Sequence, residues 1–288
     1  MLFQVFVNAI IVGSIYALVA VGFVLTYTTT KFINFGHGAT VALSAYLFLV
    51  SFDYLGYVGA FVVACLSAVL FNFLIYQYLY KRLMGNNASK VILLLVSFGV
   101  LIAVESIIQI VFSASPRRLN IPITEGLSFF GARITSIQIF IVAITVLLLI
   151  AVWYVMKKTK IGLGLRAIAD NSDLAEVYGL NSKKIIVASF MIAGVLGAIA
   201  GMAISLDYVI TPTVGTSYMI KGFVGAVTGG LNTIYGSILG SYVVGLFENY
   251  GAWFFSSGYK DAIAFFLLFL MLIIRPQGLF GVKKGIRG

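Results

Sequence analysis

Charge is what this sequence has least of. Only 10% of its 288 residues are Asp, Glu, Lys or Arg, against 61% hydrophobic residues and a mean hydropathy of +1.08. A soluble domain carries about 25% charged residues and about half apolar ones. No water-soluble core has use for so much apolar surface, so lipid must solvate most of the chain. Cysteine is limited to Cys65, which excludes an intrachain disulfide; within an apolar block it reads as a small buried hydrophobe. His37 is the only histidine and no H-E-x-x-H occurs, so a zinc hydrolase is unsupported. A Ser–His protease using His37 would need a nucleophile elbow, and none is visible. The G-x-x-x-x-G-K-[ST] phosphate cradle is also missing, so any ATP that drives this protein must bind another chain. No catalytic residue, metal site or bound cofactor is assigned.

The N-terminus lacks the basic stretch of a signal peptide, and its first apolar block is long enough to span, which predicts a retained helix. Apolar blocks follow at 5–27, 41–52, 57–79, 91–112, 134–156, 185–206, 214–228, 234–250 and 260–274. Several reach the roughly 20 residues needed to cross about 30 Å of hydrocarbon. The pattern predicts an all-α polytopic transmembrane helical bundle of about 8–9 segments, some discontinuous or re-entrant, in one domain over 1–288.

Positive charge is unevenly spread. Lys81, Arg82 and Lys90 mark one loop, Lys157, Lys158, Lys160, Arg166, Lys183 and Lys184 another, and Arg275, Lys283, Lys284 and Arg287 close the chain. On the positive-inside rule these regions face the cytoplasm. Parity then puts Lys31 inside, Asp53 and the N-terminus outside, and 113–133 outside despite Arg117, Arg118 and Arg133. Pro116 and Pro122 also fall in that outer loop. The net charge of +10 is topology, not a nucleic-acid footprint.

Two segments break the apolar pattern. The run 41–52 reaches only about 18 Å as a helix and must draw in part of Phe32–Thr40 to span. The stretch 214–233 contains Lys221, Gly222, Gly225, Gly229 and Gly230. Irregular backbone at membrane depth must be buried in protein or line a wet cavity, and paired interruptions point to a transporter's pathway. The competing reading is ordinary helix ends and loops. Gly197/Gly201, Gly236/Gly240 and the series Ser237, Ser241, Gly245 have the spacing of close helix packing. Glu105 and Glu248 fall within spans and need partners; Lys221 is a candidate for either. Asp207 and Lys260–Asp261 fall at outer ends.

The cytoplasmic stretch 157–184 is organised. Asp173 and Glu176 resemble a capping box, Leu174, Ala175 and Tyr178 share a face, Gly179 suits a left-handed terminator, and Asn181 can cap the next span. The helix so defined has about two turns, too few to stand alone in water. It is either a coupling helix docked on a cytoplasmic partner or an interfacial helix on lipid headgroups.

Four motifs in order resemble the branched-chain amino-acid ABC transporter permeases. They are Gly13–Leu18 with Ile33–Gly38; Gly162 through Arg166–Ala167, then Asp170, Ala175 and Gly179; Gly229–Ser237 with Leu239–Gly240; and Arg275–Gly281. Asn232 departs from the pattern, where a small residue is expected. The resemblance implies an importer in a prokaryotic cytoplasmic (inner) membrane with a second permease subunit, paralogue or copy. It also implies two cytoplasmic ATPase subunits that use ATP and an extracytoplasmic substrate-binding protein. It favours the coupling-helix reading, with Gly162, Arg166, Ala167, Asp170, Asp173, Glu176 and Gly179 in the ATPase-contact loop. An ATP-independent carrier or channel is the alternative. Asn34 can cap the following helix and leave backbone N–H groups for an amino-acid carboxylate; otherwise Gly36 and Gly38 serve packing and His37 is a buried polar residue. The expected substrate-pathway residues are Asn34, Gly36, His37, Gly38, Lys221, Gly229 and Gly230.

Overall fold

The computed structural model describes residues 1–119, 126–129 and 131–281. Pro122, Lys283, Lys284 and Arg287, which entered the topology reading, lie outside the described residues. The architecture is helical, and each apolar block lies in a helix except that the block 134–156 begins two residues before its helix, at the end of a short strand. In chain order these are α1 (Leu2–Thr30) and α2 (Gly36–Leu74), which runs on through a π-helix (Ile75–Tyr80) into α3 (Lys81–Gly85); then α4 (Lys90–Phe112). A short hairpin of β1 (Leu127–Phe129) and β2 (Ala132–Ile134) precedes α5 (Ser136–Lys158), α6 (Lys160–Asp170), α7 (Ser172–Val177), α8 (Ser182–Asp207), α9 (Val214–Gly229), α10 (Ile234–Phe254) and α11 (Lys260–Ile274). Local signals start several of them. Ser89 accepts from Ile92 N at α4, Thr135 and Gln138 form a capping box at α5, and Asn181 accepts from Lys184 N at α8, as its sequence position suggested.

Among the described residues six helices are long and apolar enough to cross a bilayer, with the whole run Gly36–Gly85 taken as one, and α9 with α10 form a pair bent by 117°. The long run folds back on itself. Gly56 (φ 63°, ψ −169°) breaks it in a conformation open to a residue without a Cβ. Asn72 Nδ2 then donates to Thr40 Oγ1 at 2.9 Å, the two residues lying equally far from Gly56. The first arm, 36–55, draws residues 36–40 into the short block and so reaches about 30 Å. Among the described residues the count is six helices of spanning length, or seven if the bent α9–α10 pair is taken as one span. The short α9, about 24 Å long, starts inside the bundle.

Hydrogen bonds sort the connections to two ends. At one, Gln4 exchanges bonds with the Arg133 backbone (2.7 and 3.1 Å), Arg117 bridges Ile210 and Gln138 reaches Asp207. At the other, which carries most of the lysines, Lys31 Nζ donates to Ala169 O at 2.6 Å. We call these the hairpin end and the basic end. The core lies where the first arm of α2 runs beside α8 on small residues. A Cβ on Gly201 would meet the Val41 carbonyl and the Ala45 backbone, and Ser205 Oγ donates to Ala45 O at 3.0 Å. The Gly197/Gly201 spacing thus serves packing. α1 is the buried mast of the bundle, whereas α4, α5 and α11 show most of their apolar surface outward.

Candidate functional site

The chain between α1 and α2 must satisfy several backbone groups at bundle depth without helical bonds. α1 ends on Lys31 in the left-handed region (φ 59°). Asn34 Oδ1 accepts from Gly36 N (3.1 Å) and from Tyr80 Oη (2.9 Å), while Ser97 Oγ accepts from Phe35 N (3.0 Å). His37 N and Gly38 N bond to the carbonyls of Asn34 and Phe35. This corrects the expectation that Asn34 leaves free N–H donors: in this conformation the first donors of α2 are taken, and Phe35 is the capping position. The π-helix sets the register that delivers Tyr80 to Asn34, a use of π-turns frequent at functional positions. His37 is fully buried between Gly22 and Gly197. Neither ring nitrogen has a well-formed hydrogen bond, the Val19 carbonyl giving only a weak polar contact. Asn34→Ala removes one acceptor from two buried donors and should lower stability by about 2 kcal/mol, against about 1 for Tyr80→Phe. Thermal unfolding of the detergent-solubilised chain reads both, and equal losses would contradict a shared acceptor.

The two irregular segments meet. A Cβ on Gly38 would lie 2.9 Å from Gly215 O and 2.8 Å from Met219 Cβ, so α9 begins against the first turn of α2. Gly38 therefore admits a helix, and Gly36, whose Cβ would meet Tyr80 Oη at 2.7 Å, admits a side chain. Thr213 gives α9 no side-chain cap. Glu105 from α4 supplies one instead, accepting from Thr216 N (2.7 Å) and Thr216 Oγ1 (2.9 Å). A carboxylate at a helix N-terminus meets unpaired N–H groups and the positive end of the dipole.

The second intramembrane acid resolves the other way. Lys221 Nζ donates to Glu248 Oε1, lies 3.0 Å from Asp261 Oδ1 and sits 5.7 Å above the Tyr16 ring. Tyr16 Oη donates to Glu248 Oε2 at 2.6 Å. Asp261, read from sequence as an outer-end residue, thus takes part in a cluster tying α1, α9, α10 and α11. Tyr80, Ser97 and Thr216 carried no sequence signal, and Tyr16, though inside the Gly13–Leu18 motif, gave none of its pairing, since the partners are tens to hundreds of positions away.

Gly229 and Gly230 form the turn into α10 at the basic end. A Cβ on Gly229 would fall on the Gly236 carbonyl, and one on Gly240 would fall on the backbones of Gly225 and Gly229. Gly230 has φ 120°, outside the range comfortable for other residues. The C-terminal motif lies along this turn, with Leu279 N donating to Thr228 O (2.8 Å) and Phe280 N to Gly229 O (3.0 Å). Two motifs far apart in sequence are one structural unit.

The stretch 157–184 is more helical than its sequence suggested. Gly162, Arg166, Ala167 and Asp170 lie on α6, capped by Thr159 Oγ1 accepting from Gly162 N. A Cβ on Gly162 would strike the backbone of Val155 and Met156, so this glycine closes the corner between α5 and α6. α7 is capped by Asn171, whose Oδ1 accepts from Asp173 N and Leu174 N; this corrects the capping-box reading of Asp173 and Glu176. Gly179 does adopt the left-handed terminating conformation (φ 81°). The expected shared face also differs: Ala175 is buried, whereas Leu174 and Tyr178 are exposed. Arg166, Asp170, Asp173 and Glu176 are exposed. Among the described residues no ion pair joins them, and no group of three or more His, Cys, Asp or Glu is placed to hold a metal ion.

This arrangement has relatives. The chain is 30% identical to the high-affinity branched-chain amino acid transport system permease protein BraD of Pseudomonas aeruginosa, over 96% of this chain and 95% of that one. It is 29% identical to the permease protein LivH of the same kind of system in Escherichia coli, over 95% and 94%. Its fold resembles a chain of PsaBC from Streptococcus pneumoniae solved with a Fab, with a TM-score of 0.53 at 13% identity, covering 96% and 92% of the two chains. Residues 5–274 match the family described as the permease component of branched-chain amino acid transport systems, and the chain belongs to that family.

Proposed function

We propose that this chain is the membrane-spanning permease subunit of an ATP-binding-cassette importer carrying branched-chain amino acids, or a related small amino acid or amide, into the cell. The observation that carries the reading is the face of α6 and α7. Ile161, Leu163, Leu174, Val177 and Tyr178 are exposed there among Arg166, Asp170, Asp173 and Glu176. Apolar side chains set among charges at the end of a bundle suit a protein partner, and two short capped helices transmit a push better than a coil. The partner is a pair of ATPase subunits; ATP is used there, and this chain binds no cofactor. A second permease, paralogue or copy, completes the pathway, and a substrate-binding protein delivers cargo at the hairpin end.

The chain is then one permease domain over 1–288 in a prokaryotic cytoplasmic membrane. The basic end, 157–184 and the C-terminus face the cytoplasm, and 113–133 faces the other side. The pathway passes the junction of the two broken helices, with Asn34, Gly36, His37, Gly38, Lys221, Gly229 and Gly230 shaping it. Support for this is the meeting of Gly38 with Gly215 inside the bundle. In proteoliposomes the chain alone should be inert, and uptake should appear on adding ATPase subunits, binding protein and ATP. Val177→Asp with Tyr178→Asp, both exposed, should leave folding intact and cut uptake and ATPase association at least about tenfold, the effect of roughly 1.4 kcal/mol of docking energy. Gradient-driven uptake by the chain alone would overturn the assignment in favour of a carrier.

A further inference from the structure

One groove contains none of the proposed pathway residues and shares only Arg166 with the ATPase surface. It is a cavity of about 260 Å³ at the basic end between the last turns of α1 and α5, α6, and the turn into α10. Its inner wall is apolar, formed by Leu149, Met156 and Ile238; its mouth carries Lys157 and Arg166. Trp153 and Tyr235 flank that mouth, 39% and 52% exposed, and Lys157 Nζ stands 5.5 Å over the Trp153 ring. Aromatic rings beside lysines at the end of a spanning helix mark headgroup depth. Asn232, exposed, also lines the groove.

Neither cation at the mouth has an ion-pair partner among the described residues: the only ion pairs there are those of Lys221. Arg166 makes only a long bond, 3.4 Å, to the carbonyl of Gly162 in its own helix. No acidic residue lines the groove. The lining combines an apolar wall, interfacial aromatics, two cations and an exposed amide, the groups that a phospholipid's acyl chain, glycerol and phosphate require.

We infer that this groove seats an anionic phospholipid, its chain against α5 and α10 and its phosphate between Lys157, Arg166 and Asn232. A zwitterionic lipid would bring its own cation beside two others, so the site selects for net negative charge. The lipid would brace α6 against the Gly229–Gly230 turn. This inference does not depend on the proposed cargo.

The test is native mass spectrometry of the full-length chain, purified with its associated subunits and titrated with phosphatidylglycerol or phosphatidylcholine. Arg166 is left unchanged because it also belongs to the proposed ATPase surface. Wild type should retain phosphatidylglycerol in preference to phosphatidylcholine. Lys157→Gln should lower that retention about fivefold, the effect of one headgroup-depth cation. Asn232→Gly should lower it further, while Lys90→Gln, a cation at another helix end, should leave it unchanged. Equal retention of both lipids by wild type would overturn the inference, as would unaltered phosphatidylglycerol binding in Lys157→Gln. So would phosphatidylglycerol binding that disappears whenever an ATPase subunit is attached, because the groove would then hold an acidic side chain of that partner.

Discussion

Gly229→Ala is expected to stop the α9–α10 hairpin from closing and to remove most of the folded protein from the membrane. The new methyl would lie on the Gly236 carbonyl and 2.8 Å from Ser237 N. Both are backbone, so no rotamer change can relieve the contact. The opposing surface is equally tight, because a Cβ on Gly236 would meet the Gly229 carbonyl in return. Overpacking typically costs 1–3 kcal/mol and occasionally more. Here a shift would also loosen the bonds from Leu279 N to Thr228 O and Phe280 N to Gly229 O. A total of about 3–4 kcal/mol is expected. The control is Gly99→Ala in α4, where a Cβ would meet nothing within 4 Å; it should be neutral or gain up to about 1 kcal/mol. Size-exclusion profiles and melting temperatures of the two variants decide the matter. A Gly229→Ala protein as monodisperse and heat-stable as Gly99→Ala would show that the turn opens without cost.

The turn also shows where the sequence was legible and where it stopped. Apolar blocks were enough to expect a polytopic helical bundle, because the bilayer imposes a length on each spanning stretch separately. Glycines at 38, 229 and 230 stood out because they interrupt those blocks. What replaced the missing side chains was not legible, since it lies elsewhere in the chain: Met219 and Gly215 against Gly38, Gly236 against Gly229, the C-terminal segment against Gly230. The motif at 275–281 could be recognised, yet nothing in it says that it binds the turn at Thr228–Gly230. α6 was missed because Gly162 and Gly164 lower helix propensity. The structure needs Gly162 there, where a Cβ would meet the backbone of Val155 and Met156, whereas a Cβ on Gly164 would meet only the end of the Ile185 side chain. Asp173 and Glu176 have the spacing of a capping box, but Asn171, two residues before Asp173, is the cap in fact used.

Pairing of the intramembrane charges is the part for which sequence offered two answers, and it supports the second large effect. Lys221→Met should destabilise the protein by about 3–5 kcal/mol, the cost of removing one partner from a buried ion pair. Glu248 is only 1% exposed, and without Lys221 its carboxylate keeps just the Tyr16 hydroxyl. Asp261 cannot compensate: its side chain is 75% exposed, so Asp261→Asn should cost under about 1 kcal/mol. Adding Glu248→Leu to Lys221→Met removes the stranded charge. The double variant should recover at least about 2 kcal/mol, because apolar replacement of a buried pair is often close to neutral. Recovery stays incomplete, since Tyr16 Oη then loses its acceptor at a cost of about 1–3 kcal/mol. A double-mutant cycle on melting temperature or denaturant midpoint gives the coupling directly. Simple additivity would mean that the two residues do not share an ion pair in the membrane. The cycle also separates stability from direction. Lys221 points α9 at α10 and α11, and a double variant that folds but no longer transports would place the value of this pair in setting that orientation.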